Sequence, residues 1–214
     1  MAEHPDEQYR PSALSRRNAL KVGAASMAGM AWGLTFGHGS ADLVRELAHL
    51  AHGKPMTAPH LADILRTERV QWNALLAQVG VDRMETPGVE GTWSVKEVVA
   101  HLTWYERAVV DGARQVASTG AFTRPGDGAA GMDERNARIA AESRARPVSD
   151  VLAEADEVFD QLLKVIAACP DDLLNDSRLI GLPGDIPPWM RVANTSYTHY
   201  RQHAESIRAW LAQQ

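Results

Sequence analysis

The spacing of apolar residues constrains the fold of this chain more than any other feature of its sequence. From residue 57 onward, apolar side chains recur every three or four positions, and no alternation of apolar and polar residues is long enough for a strand. Clusters of Gly and Pro separate the periodic segments. The pattern predicts an all-α fold, and 214 residues are enough for one domain with an appendage.

Capping residues mark the first two helices. The first helix is predicted to begin with Thr57 as its N-cap and to stop at Gly80. The second has the clearest start in the chain, because Ser94 and Glu97 have the spacing of a capping box. We expect this helix to run to about Ser118.

Two further helical regions are predicted in the second half of the chain. The third covers residues 133–168 and is interrupted at Pro147, with Ser149 as the N-cap of its second part. After a loop rich in Gly and Pro, the last helix is predicted over residues 189–211. The four regions together indicate a four-helix bundle over residues 57–214.

The first 41 residues resemble a targeting segment. Arg16 and Arg17 precede a short, weakly apolar stretch with small residues after it, which is the order of a twin-arginine export signal. Cleavage after Ala41 would leave residues 42–56 as a linker or short helix. The sequence therefore predicts an exported protein that uses the twin-arginine machinery, with a cytoplasmic location as the alternative.

Charge and cysteine content argue against nucleic-acid binding and against an internal disulfide. The formal net charge is −5 and no basic stripe occurs past residue 60, so we expect no binding to nucleic acid, which requires clustered cations. The single cysteine, Cys169, cannot form a disulfide within the chain.

Three histidines are the strongest candidates for chemistry. His199 and His203 lie four residues apart in the last predicted helix, so both imidazoles project from one face within reach of one metal ion. His101 flanks the apolar stripe of the second helix and is the natural third ligand. Three imidazoles leave an open coordination position, which is typical of catalytic sites. A surface histidine pair and a hydrogen-bonded core histidine are the alternatives.

A rival histidine cluster lies near the start of the bundle. It consists of His49, His52 and His60, of which the first two belong to the linker or short helix over residues 42–56. We interpret all three as surface residues.

Two segments of the chain resemble the DinB/YfiT-like superfamily. They are GTWSVKEVVAHLTWYE at residues 91–106 and NTSYTHYRQHAESIRAWL at residues 194–211. The resemblance extends over about residues 57–212. It implies a four-helix bundle in which His101, His199 and His203 hold a divalent metal.

The resemblance also implies a class of reaction. Some relatives are transferases or isomerases that use a low-molecular-weight thiol such as mycothiol or bacillithiol, and related colibactin-resistance bundles act on a reactive electrophile. We therefore expect Zn, Ni or Fe to activate a thiol or water for attack on an electrophilic small molecule, as in a transferase or hydrolase. An export signal is not typical of those cytosolic enzymes. The alternative is a non-enzymatic bundle that binds a metal or ligand in a protective role.

Four residues are candidates for the walls of a substrate cavity, although each could equally be an ordinary packing residue at one end of the bundle: Trp104, Tyr105, Asn136 and Trp189. The sequence does not single out a catalytic base. The expected partner is a small-molecule substrate, and a homodimer is left open.

Overall fold

The computed structural model describes residues 55–120, 131–178 and 186–214. The predicted signal segment and nearly all of the predicted linker lie outside these residues. The described elements, in chain order, are α1 (Ala58–Val79), a 3₁₀ turn (Val81–Arg83), β1 (Pro87–Glu90), β2 (Trp93–Ser94), α2 (Val95–Thr119), α3 (Met132–Arg144), α4 (Val148–Ala167), α5 (Asp171–Asn175), α6 (Pro188–Thr195) and α7 (Tyr197–Leu211).

Four long helices, α1, α2, α4 and α7, build the bundle. Helix α2 packs on α4 and α7, and α1 packs on α4 and α7, while the shorter α3 and α6 lie against α2. Apolar side chains from all four long helices are completely or almost completely buried between them, among them Leu61, Val98, Leu162 and Ile207. The prediction of an all-α bundle is confirmed. Among the described helices, none combines the length and apolar character that crossing a bilayer requires.

The predicted helix starts at Thr57 and Ser94 are confirmed. The Thr57 side chain accepts a hydrogen bond from the backbone N–H of His60 at 3.4 Å. At the start of α2, the Glu97 carboxylate accepts a bond from the Ser94 backbone N–H at 2.7 Å, and the Ser94 hydroxyl accepts one from the Glu97 N–H, which completes the capping box. Helix α2 ends at Thr119, one residue beyond the prediction, because Gly120 adopts a left-handed conformation with φ of 73°.

The third helical region is split, as expected, but its cap was predicted incorrectly. Pro147 itself is the N-cap of α4, with φ of −57° and ψ of 147°. A proline fixes φ and lacks an N–H, so it suits the start of a helix. The Ser149 hydroxyl, predicted to cap the helix, instead lies within α4 and donates to the Asp150 carboxylate at 3.1 Å.

The last predicted helix is two helices. Ser196, with φ of −126° and ψ of −99°, separates α6 from α7. Its hydroxyl donates to the Val192 carbonyl at 2.6 Å, and the Thr198 hydroxyl donates to the Ala193 carbonyl at 2.8 Å. These hydroxyls donate to carbonyls that a continuous helix would use. The polar residues of the segment 194–198 therefore break the helix. The structure also adds helix α5, which the apolar pattern did not predict.

A short antiparallel hairpin precedes α2, where the sequence predicted no strand. Pro87 pairs with Ser94 and Glu90 pairs with Trp93. Gly91 supplies the turn with φ of 61°, a conformation that side-chain-bearing residues seldom adopt. Strand β1 packs against α7, and this contact brings Glu90 to the histidine-bearing helix.

Candidate metal centre

Helices α2 and α7 bring the three predicted histidines together. His101 comes from α2, and His199 and His203 come from successive turns of α7. The Nε2 atoms of His101 and His199 are 3.2 Å apart, and one ring nitrogen of each of the three lies within 4.8 Å of the others. His101 and His203 are buried, and His199 is partly buried. The three imidazoles therefore converge on one point.

A carboxylate from the hairpin orients His203. A carboxylate can only accept, so Nδ1 of His203 donates its proton to Oε1 of Glu90, across 2.6 Å. Burial raises the pKa of Glu90, but the hydrogen bond to His203 and the charge of His203 outweigh burial and hold that pKa below its ordinary value. Nε2 of His203 has no hydrogen-bond partner among the described residues, so it is the ring nitrogen of His203 that remains for a metal ion.

Burial keeps the other two imidazoles neutral. It lowers the pKa of His101 to about 3, with a further contribution from the charge of His203. Burial likewise takes the pKa of His199 well below its ordinary value. Neutral imidazoles carry the lone pair that a metal ion binds.

The donor set fits a divalent cation. Two nitrogens bound at about 2.0–2.1 Å in a tetrahedral arrangement are roughly 3.3 Å apart. The Nε2 atoms of His101 and His199 are separated by 3.2 Å. Imidazole ligands suit Zn, Ni and Fe, and a carboxylate on the second ring nitrogen of a ligand is the usual outer support of such sites. His101, His199 and His203 can therefore hold one of these ions.

Aromatic rings surround the histidines. His101 makes edge contacts with Trp93 and Tyr105, at 5.3 and 4.9 Å between ring centroids. Tyr105 also contacts His199 at 5.2 Å. These rings form an apolar wall beside the three imidazoles.

Two of the predicted cavity residues lie together next to Tyr105. Trp104 contacts the Tyr105 ring at 5.1 Å, and the Tyr105 hydroxyl donates to Oδ1 of Asn136 at 3.2 Å. Arg135, which the sequence did not single out, donates to the same hydroxyl at 3.0 Å. Trp189 is 1% exposed and belongs to the hydrophobic core.

The rival histidine cluster receives no support. His60 is exposed at the start of α1, and His49 and His52 lie outside the described residues. Among the residues that the structure describes, His101, His199 and His203 are the group of three or more potential ligands close enough to hold an ion.

A family model described as the DinB superfamily matches residues 64–207, a range that contains all three histidines. The chain belongs to the DinB superfamily. No curated protein matches the sequence.

Solved structures share this DinB fold at low sequence identity. The colibactin self-resistance protein ClbS, in a complex with double-stranded DNA, is 16% identical, with a TM-score of 0.60 over 72% of this chain and 95% of its own. An uncharacterised protein from Escherichia coli UTI89 is 16% identical, with a TM-score of 0.58 over 76% of this chain and 96% of its own. A Streptococcus pneumoniae protein is 8% identical, with a TM-score of 0.59 over 74% of this chain and 92% of its own. At these identities the likeness shows a common fold.

A second buried polar network lies deeper in this DinB bundle. Glu106 accepts a hydrogen bond from the Tyr200 hydroxyl, and Tyr200 accepts one from Arg69 at 3.0 Å. Arg69 continues to the Asp156 carboxylate at 2.9 Å, so the network ties α1, α2, α4 and α7 together. Burial raises the pKa of Glu106 to about 7, although the bond from Tyr200 and the charge of Arg69 act against it. Sequence reasoning missed this network, which crosses the whole bundle.

We expect replacement of Glu90 by Gln to weaken metal binding by roughly 10- to 100-fold. Loss of a carboxylate that is hydrogen-bonded to a metal-binding histidine has effects of that size. The Gln amide can still accept a hydrogen bond from Nδ1 of His203. It lacks the negative charge of the carboxylate, which makes that imidazole a stronger metal ligand. Competition with a chromogenic chelator measures the change. Glu205→Gln, at an exposed position on α7, should bind metal like the wild type. Equal affinity for the Glu90→Gln protein would show that this carboxylate does not support the site.

Proposed function

We propose that the chain is a divalent-metal-dependent enzyme that activates a thiol or water for attack on an electrophilic small molecule. The observation that carries this proposal is the convergence of three imidazole nitrogens within 4.8 Å, one of them backed by a carboxylate. Three protein ligands are the number that leaves a position open for a reactant. A low-molecular-weight thiol such as mycothiol is the proposed co-substrate for a transferase, and water is the reactant for a hydrolase.

The side chains around the site have distinct roles in this proposal. Bound to the three imidazoles, a divalent ion supplies Lewis acidity that favours the deprotonated form of a thiol or of water. Glu90 holds His203 in one tautomer and orientation. Trp93 and Tyr105 shield the His101 imidazole from bulk water, which strengthens electrostatic interactions in the site.

The experiment that tests the metal site is elemental analysis of protein purified without a histidine tag. We expect about one equivalent of Zn, Ni or Fe in the wild type, because its three imidazoles form a single site. His199→Ala and His203→Ala should each lose most of this metal, and His60→Ala, at an exposed position, should retain it. Metal-free wild type that also fails to take up added Zn²⁺ would contradict the proposal.

A protective binding protein is the second candidate, because the similar ClbS structure is that of a self-resistance protein. Turnover separates the two functions. An enzyme consumes many equivalents of thiol in the presence of an electrophile such as 1-chloro-2,4-dinitrobenzene, whereas a binding protein removes at most a stoichiometric amount.

The remaining predictions about partners rest on the sequence. The ClbS structure contains double-stranded DNA, but this chain has a net charge of −5, and the absence of nucleic-acid binding stays our prediction. Export through the segment that contains Arg16 and Arg17 is likewise a proposal, as is a small-molecule substrate.

A further inference from the structure

One buried hydrogen bond connects the two helices that carry the three histidines. The Tyr200 hydroxyl on α7 donates to the Glu106 carboxyl on α2. Tyr200 lies between His199 and His203 along α7, and Glu106 lies five residues after His101 on α2. Both side chains of the bond are almost completely buried. The bond therefore joins α2 and α7 close to all three candidate ligands.

This bond gives α7 a second point of attachment to α2. The first is the histidine cluster, where the Nε2 atoms of His101 and His199 are 3.2 Å apart. Along α2 the two points are about 7.5 Å apart, since a helix rises about 1.5 Å per residue. Helix α7 packs more extensively on α1 than on α2, so specific contacts with α2 decide how the ligands of the two helices meet. One attachment acts as a pivot, whereas two fix the angle between the helices.

Side chains of α1 hold Tyr200 in the orientation that this bond requires. Trp72 stacks on the Tyr200 ring, with 5.3 Å between the ring centroids and 16° between the ring planes. Arg69 donates to the Tyr200 hydroxyl at 3.0 Å and to Asp156 of α4 at 2.9 Å. The hydroxyl thus accepts from Arg69 while it donates to Glu106, so its direction is fixed by both partners.

We propose that Tyr200 and Glu106 are positioning residues of the metal centre. Their hydrogen bond aligns α7 with α2, so that the three imidazoles face one point before any ion binds. This inference rests on the proposed metal site and adds the residues that preorganise it. Burial of charged groups such as Arg69 costs about as much free energy as their attractions contribute, so a network of this kind adds little net stability. Its hydrogen bonds require particular distances and angles, which suits them to fixing an orientation.

Removal of one partner at a time tests the proposal. Tyr200→Phe deletes the hydroxyl and keeps the ring that stacks on Trp72, and Glu106→Leu deletes the acceptor. Each full-length variant is titrated with Co²⁺ against a competing chelator. Each should bind Co²⁺ roughly 3- to 10-fold more weakly than the wild type, the effect of losing one buried hydrogen bond that forms in the aligned arrangement. Glu106→Gln, whose amide can still accept from Tyr200, should bind within about twofold of the wild type.

A double variant and a stability control distinguish alignment from general destabilisation. The Tyr200→Phe/Glu106→Leu protein should bind Co²⁺ about as weakly as either single variant, since all three lack the same bond. Val151→Ala creates a cavity in the core beside α4, a helix with none of the three histidines, and should leave the affinity for Co²⁺ unchanged. The visible absorption bands of bound Co²⁺ depend on the arrangement of its ligands. They should change in Tyr200→Phe and stay the same in Val151→Ala.

The outcomes separate this inference from the proposed function. Failure of the wild type to bind Co²⁺ overturns the metal site and this inference with it. If the wild type binds Co²⁺ and folded Tyr200→Phe binds it with the same affinity and spectrum, the positioning role is wrong and the metal site stands. Equal weakening in Tyr200→Phe and Val151→Ala also overturns the role, because lost stability then explains both. Tyr200→Phe is the smaller change and decides the question if Glu106→Leu does not fold.

Discussion

Replacement of His101 by Ala is expected to lower the affinity of the protein for Zn²⁺ by roughly 100-fold or more. Four-ligand zinc sites bind with about 10–16 kcal/mol, so one ligand accounts for roughly 3 kcal/mol. His101 contributes the nitrogen that lies 3.2 Å from that of His199, and the Tyr105 hydroxyl on the neighbouring ring is already bonded to Asn136 and Arg135. Two ligands on α7 alone make a weaker site.

Thermal unfolding with and without Zn²⁺ measures this effect, because a ligand of the folded state raises its stability as its concentration exceeds the Kd. The wild type should gain about 2.7 kcal/mol at a hundredfold excess of Zn²⁺ over its Kd. His101→Ala should gain much less at the same concentration, while His60→Ala should match the wild type. If His101→Ala folds and is stabilised by Zn²⁺ as fully as the wild type, His101 is not a ligand.

Glu106 is expected to make the stability of the protein depend on pH. Burial raises the pKa of Glu106 from 4.5 to about 7, so the folded state holds a proton that the unfolded state releases between these values. Its contribution to the free energy of unfolding is therefore fully present below pH 4.5 and is lost as the pH rises to about 7. A pKa shift of this size corresponds to about 3 kcal/mol.

The measurement is a difference between the wild type and Glu106→Gln, both free of metal. Gln can still accept from the Tyr200 hydroxyl but does not titrate, so its stability relative to the wild type should rise by about 3 kcal/mol from pH 4.5 to 8. The difference is needed because the lowered pKa of His101 destabilises the folded state at low pH in both proteins. Urea unfolding of both proteins at each pH measures their free energies of unfolding. A constant difference across this pH range would mean that Glu106 is ionised in the folded protein.

Much of the fold was predictable because it depends on neighbouring residues. The capping box of Ser94 and Glu97 forms within one helical turn, and Pro147 begins a helix because of its own ring. The break at Ser196 was not predicted, because the apolar spacing continues across it. The break arises from the Ser196 and Thr198 hydroxyls, which donate to backbone carbonyls of the preceding turn. The two-residue β2 was too short for an alternating pattern. The local signal in the sequence was Gly91, a residue type that readily adopts the positive φ found in this turn.

The sequence predicted the histidines of the candidate site but not the residues around them. The spacing of His199 and His203 fixes their common face, since residues four apart lie one turn apart on a helix. His101 was chosen as the third ligand because it flanks the apolar stripe of the second predicted helix, and the resemblance of two segments to one family supported that choice. Glu90 and Arg135 carried no signal, because a single charged residue in a loop or at a helix start is ordinary.

The sequence by itself determined the long helical regions, the caps at Thr57 and Ser94 and the common face of His199 and His203, because each depends on contacts within a turn or two of the chain. Only the tertiary structure decided what surrounds those ligands. Glu90 meets His203 across 113 positions, through the packing of the hairpin on α7. Arg135 meets Tyr105 across 30 positions, through the packing of α3 on α2. Such contacts follow from how helices pack and loops return, and local periodicity carries no information about either.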